Sequence, residues 1–97
     1  MFDVKLSEDA LSDLDLVMDY YSNISAELGD RFLQNFDKCL LELENLPFFQ
    51  IRYDEMRIRQ IKKFPILLHY IVYETTETIV VFGVRFAKAN PENYPKI

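Results

Sequence analysis

Residues 63–85 read KFPILLHYIVYETTETIVVFGVR, and this stretch decides the fold. Two apolar runs, Ile66–Tyr73 and Thr78–Val84, are rich in the β-branched and aromatic residues that favour strands. The polar link Glu74–Glu77 is short, and a parallel crossover needs about a dozen residues, so the runs predict an antiparallel hairpin. Because a two-stranded ribbon is not stable alone in water, the rest of the chain must cover it.

The residues before this hairpin predict one strand and two helices. Phe2–Leu6 alternates apolar and charged residues, as a strand does. Ser7 is a candidate N-cap for an amphipathic helix that ends near Asn23, and Ser25 is the candidate cap of a second helix that ends at Leu46. Proline follows Leu46 and disfavours further helix there. The short link between the helices predicts an antiparallel helical hairpin.

The remaining segments complete the predicted order of elements. Phe48–Asp54 is predicted as a loop, and Glu55–Lys63 as a strand with Arg57 and Arg59 on one face. After Arg85 the sequence FAKANPENYPKI contains two prolines and two asparagines, which predicts an irregular tail.

Together these segments predict a single α+β domain over residues 1–97. Its order is an N-terminal strand, a helical hairpin and a three-stranded antiparallel meander, in two layers. The first strand is expected to join the later three in a mostly antiparallel sheet. The helical hairpin covers one face of that sheet, and the other face stays at least partly open.

The composition points to a globular domain with no disulfide. One cysteine, Cys39, is too few for a disulfide or a two-cysteine metal clamp within the chain, and no metal or cofactor is expected. The N-terminus carries acids where a secretory signal needs an apolar run, and no apolar stretch is long enough for a membrane span. These features predict a cytoplasmic protein with no membrane partner.

Charge is distributed unevenly along the chain. Residues 1–46 contain 11 acids and 3 bases, a net charge of −8, whereas residues 47–97 contain 5 acids and 8 bases, a net charge of +3. The sum is the overall −5, which argues against direct binding of nucleic acid. Two interpretations of the asymmetry remain open: a polar interaction surface, or acidic helices that are simply solvated.

The ordered set of segments resembles the RelE/ParE superfamily of bacterial toxins, and its ParE-like branch in particular. VKLSEDALSDLDLVMDYY is similar to the family's first strand and helix, and GDRFLQNFDKCLLELENLP to its second helix. KKFPILLHYIVYE and VVFGVRFAKANPENY resemble the later strands and the tail that follows them. The resemblance covers essentially the whole chain.

The resemblance implies a toxin of a type II toxin–antitoxin pair, which a cognate antitoxin protein binds and neutralises. ParE-type members inhibit DNA gyrase, whereas RelE-type members cut mRNA on the ribosome. Our favoured hypothesis is a ParE-like toxin that acts by protein–protein binding. The alternatives are a RelE-like, metal-independent mRNA endonuclease and a non-toxic relative that binds only the antitoxin.

A nuclease would need groups that bind phosphate and transfer protons. The resemblance suggests Arg59, Lys63, Arg85 and Tyr94 for these roles, with Lys62 as an alternative to Lys63 and His69 as a further acid or base. Phe86 stands where many relatives have a histidine after the arginine, and the chain is acidic, so the sequence favours a protein that is not an enzyme.

An antitoxin or target is instead expected to meet a mostly cationic rim. Its predicted members are Arg57, Arg59, Lys62, His69, Arg85 and Lys88. Structural interpretations stand beside this one: His69 is flanked by apolar residues and suits a packed position, Arg85 suits a solvated strand end, and the lysine pair suits protection of an edge strand.

Overall fold

The computed structural model describes residues 1–88 and 90–96 of the chain. In chain order its elements are β1 (Asp3–Leu6), α1 (Glu8–Ile24), α2 (Ala26–Asn45), β2 (Ile51–Tyr53), β3 (Met56–Gln60), β4 (Ile66–Tyr73), β5 (Thr78–Phe86) and a 3-10 helix (Pro91–Asn93). The predicted α+β class, the helical hairpin and the central strand hairpin are confirmed.

The strands form one sheet in the order β1-β5-β4-β3-β2. β4 and β5 pair antiparallel along their whole length, from Ile66 opposite Phe86 to Tyr73 opposite Thr78. β1 joins the sheet by pairing in parallel with the first part of β5, and it ends with Leu6 opposite Val81. The last five residues of β5 therefore extend beyond the end of β1, and β1 does not pair with their edge.

Two predictions about irregular segments are wrong. Phe48–Asp54 was predicted as a loop, but β2 lies within it and pairs antiparallel with β3, so the meander has four strands. The tail was predicted to lack regular structure, but Pro91 begins a 3-10 helix whose cap, Asn90, accepts a hydrogen bond from the Glu92 N–H. The predicted tail also contains Ala89 and Ile97, which lie outside the described residues.

Both helices begin at the predicted serine caps. The Ser7 hydroxyl accepts a hydrogen bond from the Ala10 N–H at 3.1 Å, and the Ser25 hydroxyl accepts one from the Leu28 N–H at 3.0 Å. These bonds satisfy amide groups that have no partner within a helix. In the described part of the chain, neither helix has the length and apolar character needed to cross a membrane.

The core lies between the helical hairpin and one face of the sheet. Tyr21, Phe32 and Phe64 pack there with ring centroids 4.9–5.4 Å apart. Leu68 and Tyr70 of β4 point into this layer and are completely buried. By strand alternation His69 lies on the opposite face, which we call the outer face.

Gly29 marks the closest approach of the two helices. A Cβ atom at this position would lie 2.2 Å from the Ser22 Oγ and 3.2 Å from the Ser22 Cα. The absence of a side chain at Gly29 therefore lets α1 and α2 pack closely. This offsets the cost of glycine in a helix interior, about 1 kcal/mol relative to alanine.

Gly29→Ala is expected to destabilise the domain by about 1–2 kcal/mol, because strain from overpacking exceeds the gain in helix propensity. Urea unfolding followed by circular dichroism measures the change. Ser22→Ala removes the Oγ atom, so it should restore part of the loss in the double variant. Equal stability of Gly29→Ala and the wild type would contradict the close approach.

Candidate functional site

The uncovered edge of β5 is completed by a side chain from α1. The Asp13 Oδ2 accepts hydrogen bonds from the Val84 N–H at 3.1 Å and from the Arg85 Nε–H at 2.7 Å. The other end of the Arg85 guanidinium donates from Nη1 to the Asn93 carbonyl oxygen at 2.8 Å. Arg85 thus connects the first helix, the last strand and the tail, and it is not simply a solvated strand end.

His69 lies on the outer face beside this cluster and is 0 % exposed. Its Nδ1 is 2.9 Å from the Tyr53 Oη, which in turn donates its hydrogen to the Pro95 carbonyl oxygen at 3.0 Å. A phenol has one hydrogen, so Tyr53 must accept from Nδ1–H. In the neutral imidazole the Nε2 atom of His69 is then an unprotonated acceptor, and it has no hydrogen-bond partner among the described residues.

Residues of the tail cover His69. The Tyr94 ring lies 4.7 Å from the imidazole ring and 5.4 Å from the Tyr53 ring, centroid to centroid. Pro95 packs on Gly83, where a Cβ atom would lie only 2.1 Å from the Pro95 Cγ. The glycine lets the tail approach β5 closely, and part of the outer face is therefore closed.

Burial changes the acid–base properties of this cluster. Desolvation, with a smaller contribution from the Arg85 charge, lowers the pKa of His69 from 6.5 to about 4. Desolvation is also the main reason that the pKa of Tyr53 rises to about 12, with Tyr94 adding to the effect. Near neutral pH the imidazole is therefore uncharged and the phenol keeps its hydrogen, as the hydrogen-bond pattern requires.

A second group of cationic residues lies between α2 and β3. We call this the α2–β3 pocket; it has a volume of about 390 Å³, and its lining includes Lys38, Cys39, Glu42, Arg59, Lys62 and Lys63. The Arg59 Nη2 donates to the Glu42 Oε2 at 3.0 Å, and its guanidinium lies 4.6 Å from the centroid of the Phe49 ring. Burial raises the pKa of the Cys39 thiol to about 11, so this cysteine is not a reactive thiolate near neutral pH.

The structure divides the predicted site residues between these places. Arg85 and Tyr94 line one pocket, whereas Arg59 and Lys63 line the α2–β3 pocket. Arg57 is held against the segment after α2 by a 2.8 Å hydrogen bond from its Nη1 to the Phe49 carbonyl oxygen. Lys88 is exposed just after β5. The proposed nuclease residues are thus not brought together as one set.

Sequence reasoning missed Tyr53, Asp13 and Glu42. Asp13 lies within the predicted first helix and was given no role of its own, and Tyr53 lies in a segment predicted as a loop. Their roles depend on partners far along the chain: Asp13 bonds to Arg85, and Tyr53 to His69 and Pro95. No periodicity in a single sequence identifies such pairs.

Comparison with known families decides what kind of protein carries these clusters. Residues 4–91 match the family described as the ParE toxin of the type II toxin–antitoxin system parDE. The chain belongs to the ParE toxin family. This confirms the resemblance to the ParE-like branch of the RelE/ParE superfamily and makes the protein the toxin component of a type II toxin–antitoxin system.

Solved structures support the fold of this ParE-family toxin. The chromosomal ParDE system from P. aeruginosa matches with a TM-score of 0.75 at 16% identity, covering 89% of this chain and 96% of that chain. The intact E. coli RelBE toxin–antitoxin complex matches with a TM-score of 0.69 at 17% identity, covering 92% and 100% respectively. The isolated E. coli RelE toxin gives 0.66 at 16%, covering 95% and 90%. No match was found among curated proteins.

The buried imidazole predicts a pH-dependent stability. Between pH 6.5 and 4 the unfolded chain binds a proton on His69 that the folded chain does not, so stability falls as the pH falls through this window. The loss is on the order of 3 kcal/mol when complete at pH 4.

Carboxylates also titrate in this range, so the contribution of His69 must be isolated by a variant. His69→Asn keeps a donor near the Nδ1 position but has no proton to gain. Urea unfolding at several pH values should show a flatter pH dependence for the variant than for the wild type. Parallel curves for the two proteins would show that His69 titrates normally.

Proposed function

We propose that this toxin acts by binding a protein target, DNA gyrase, in the cytoplasm, and that a cognate antitoxin protein neutralises it by direct binding. The match to the ParE family over residues 4–91 carries this proposal. The RelE-type members of the superfamily share the fold, so the fold by itself does not select the target.

The arrangement of the cationic groups supports a binding protein over an enzyme. Arg85 is engaged by Asp13 and by the tail, and Arg59 is engaged by Glu42. His69 is sealed beneath Tyr94 and Pro95, so a substrate reaches it only if the tail moves away. Because Arg85 is held by Asp13 and the tail and His69 is covered, these two groups are suited to fixing the shape of a surface rather than to stabilising a reacting phosphate.

Exposed apolar residues on α1 offer a place for the antitoxin. Leu16, Tyr20 and Ile24 recur every four residues on one face of the helix and are 69%, 53% and 59% exposed. Phe86 at the end of β5 extends this stripe, with its ring 5.4 Å from the Tyr20 ring. A contiguous apolar stripe of this kind suits an amphipathic helix of a partner.

The free edge of β2 is a second contact for the same antitoxin. β2 lies at the end of the sheet and, within residues 1–88 and 90–96, is paired only with β3. An extended antitoxin segment can add a strand there, while the charged rim of Arg57, Lys62, Lys88 and their neighbours steers association.

One observation favours an mRNA endonuclease as a second candidate. Arg85, Tyr94 and His69 do lie near one another, and the unprotonated Nε2 of His69 has no partner among the described residues. If the tail were displaced, an arginine and a neutral imidazole would face the same region of the outer face. Such a pair suits phosphate binding and proton transfer.

Induced expression of the toxin without its antitoxin is expected to arrest growth, and co-expression of the adjacent gene should restore it. Purified toxin should inhibit supercoiling by DNA gyrase and leave ribosome-bound mRNA intact. Full gyrase activity at high toxin concentration, together with cut mRNA, would replace the first candidate with the second. Normal growth with folded protein would leave only the non-toxic antitoxin-binding relative.

If mRNA cleavage is seen, Arg85→Ala tests whether the toxin itself is the endonuclease. A nuclease should lose cleavage in this variant, provided that circular dichroism shows a folded domain. Arg31→Ala is the matched control, because Arg31 also bonds a carboxylate, that of Glu27 at 2.7 Å, but on the exposed surface of α2. Equal cleavage by both variants would remove Arg85 from the mechanism.

Leu16→Lys is expected to weaken antitoxin binding about tenfold or more, since a charge would enter the apolar stripe. Isothermal titration calorimetry measures the affinity. Leu41→Lys is the control, because Leu41 is 58% exposed on α2, outside the stripe. Equal affinities of both variants would exclude the stripe as the antitoxin site.

A further inference from the structure

The α2–β3 pocket concentrates positive charge on an acidic protein. Four cationic side chains, Lys38, Arg59, Lys62 and Lys63, line it together with one carboxylate, Glu42, so its local balance is +3 while the chain carries −5. We infer that this pocket is a binding site for a phosphate group. The inference does not depend on the proposed target of the toxin.

Arg59 is held in place before any ligand arrives. Its Nη2 is bonded to the Glu42 Oε2 at 3.0 Å, and its guanidinium stacks 4.6 Å from the Phe49 ring centroid. The side chain nevertheless keeps 37% of its surface exposed. A guanidinium that is fixed on two sides and open on a third loses little rotamer freedom when it binds an oxyanion.

The turn that carries Lys62 and Lys63 is also ordered. The Phe64 N–H donates to the Ile61 carbonyl oxygen at 3.1 Å, and the Gln60 Nε2 donates to the Phe64 carbonyl oxygen at 3.0 Å. These bonds fix the backbone of the turn from which both lysine side chains extend, and both side chains line the pocket.

Lys63 occupies a backbone conformation that lysine does not favour. Its φ of 71° lies in the left-handed region, where glycine fits without strain. Strain of this kind at a polar residue is a reason to look for a function of its side chain. A lysine in this position places a cation in the pocket, which glycine would not do.

The charges favour phosphate over a carboxylate. Among residues 1–88 and 90–96, Lys38, Lys62 and Lys63 make no ion pair with a carboxylate, so three ammonium groups are available. A phosphate has enough oxygens to contact several of them and Arg59 at once, whereas a carboxylate has two. The acids of α2 would repel a long polyanion, which favours a free phosphate or a terminal phosphate group over the internal backbone of a nucleic acid.

An NMR titration of the ¹⁵N-labelled toxin with sodium phosphate tests the inference, with sodium chloride at equal ionic strength as the reference. Saturable shifts are expected at residues 60–64 and along residues 35–42, with a dissociation constant of about 1 mM or lower. Adenosine monophosphate and a 5′-phosphorylated dinucleotide then distinguish the source of the phosphate. Equal shifts in chloride, or stronger saturation by an aspartate-rich peptide than by any phosphate, would overturn the proposal.

Two matched variants locate the binding. Lys62→Gln/Lys63→Gln should weaken phosphate binding about tenfold. Lys5→Gln/Arg52→Gln has the same net charge, changes only exposed residues outside the pocket, and should bind phosphate like the wild type. Equal weakening of phosphate binding in both double variants would show that only the net charge of the protein matters. The pocket would then not be a phosphate site.

Lys63→Gly gives a further test that does not require the fold to accept glutamine at positions 62 and 63. Glycine suits the left-handed backbone at this turn, so the variant should keep or raise the melting temperature while its phosphate affinity falls. Unchanged affinity in a folded Lys63→Gly protein would show that the lysine is not part of a phosphate site.

Discussion

The shortness of β1 is the constraint on which the rest of the structure depends. β1 covers the edge of β5 only as far as Val81, so the backbone N–H of Val84 needs another partner. The Asp13 carboxylate supplies it and also holds Arg85, and hydrogen bonds to charged groups are worth about 1.5–3 kcal/mol each. One side chain of α1 thereby ties the first helix to the end of β5.

The same contact extends its influence to the tail. Because Arg85 is oriented by Asp13, its free end meets the Asn93 carbonyl oxygen, and the tail is guided back over the outer face. Pro95 then packs on Gly83 and accepts the hydrogen of Tyr53, which fixes the tautomer of His69. A solvated strand end would impose none of this order.

The cationic residues lie in two places and have a different role in each. On the outer face Arg85 is partly buried and paired, so it organises structure. In the α2–β3 pocket Lys62 and Lys63 are exposed at a fixed turn and Lys38 is exposed on α2, so their charge remains available to a ligand. A toxin of the ParE family thus combines a closed polar cluster with an open cationic pocket, and the acidic helices keep the total charge negative.

The sequence by itself determined the helices, the central hairpin and the class of fold. Serine caps, apolar spacing and strand composition act over a few residues, so they can be recognised in the sequence alone. Only the tertiary structure decided that β1 pairs in parallel with β5, that residues 51–53 form an edge strand, and that the tail closes over His69. These features rest on contacts such as those from Asp13 to Arg85 and from Tyr53 to Pro95, which join residues 72 and 42 positions apart. Local propensity carries no signal over such distances, and the geometry of packing has to supply it.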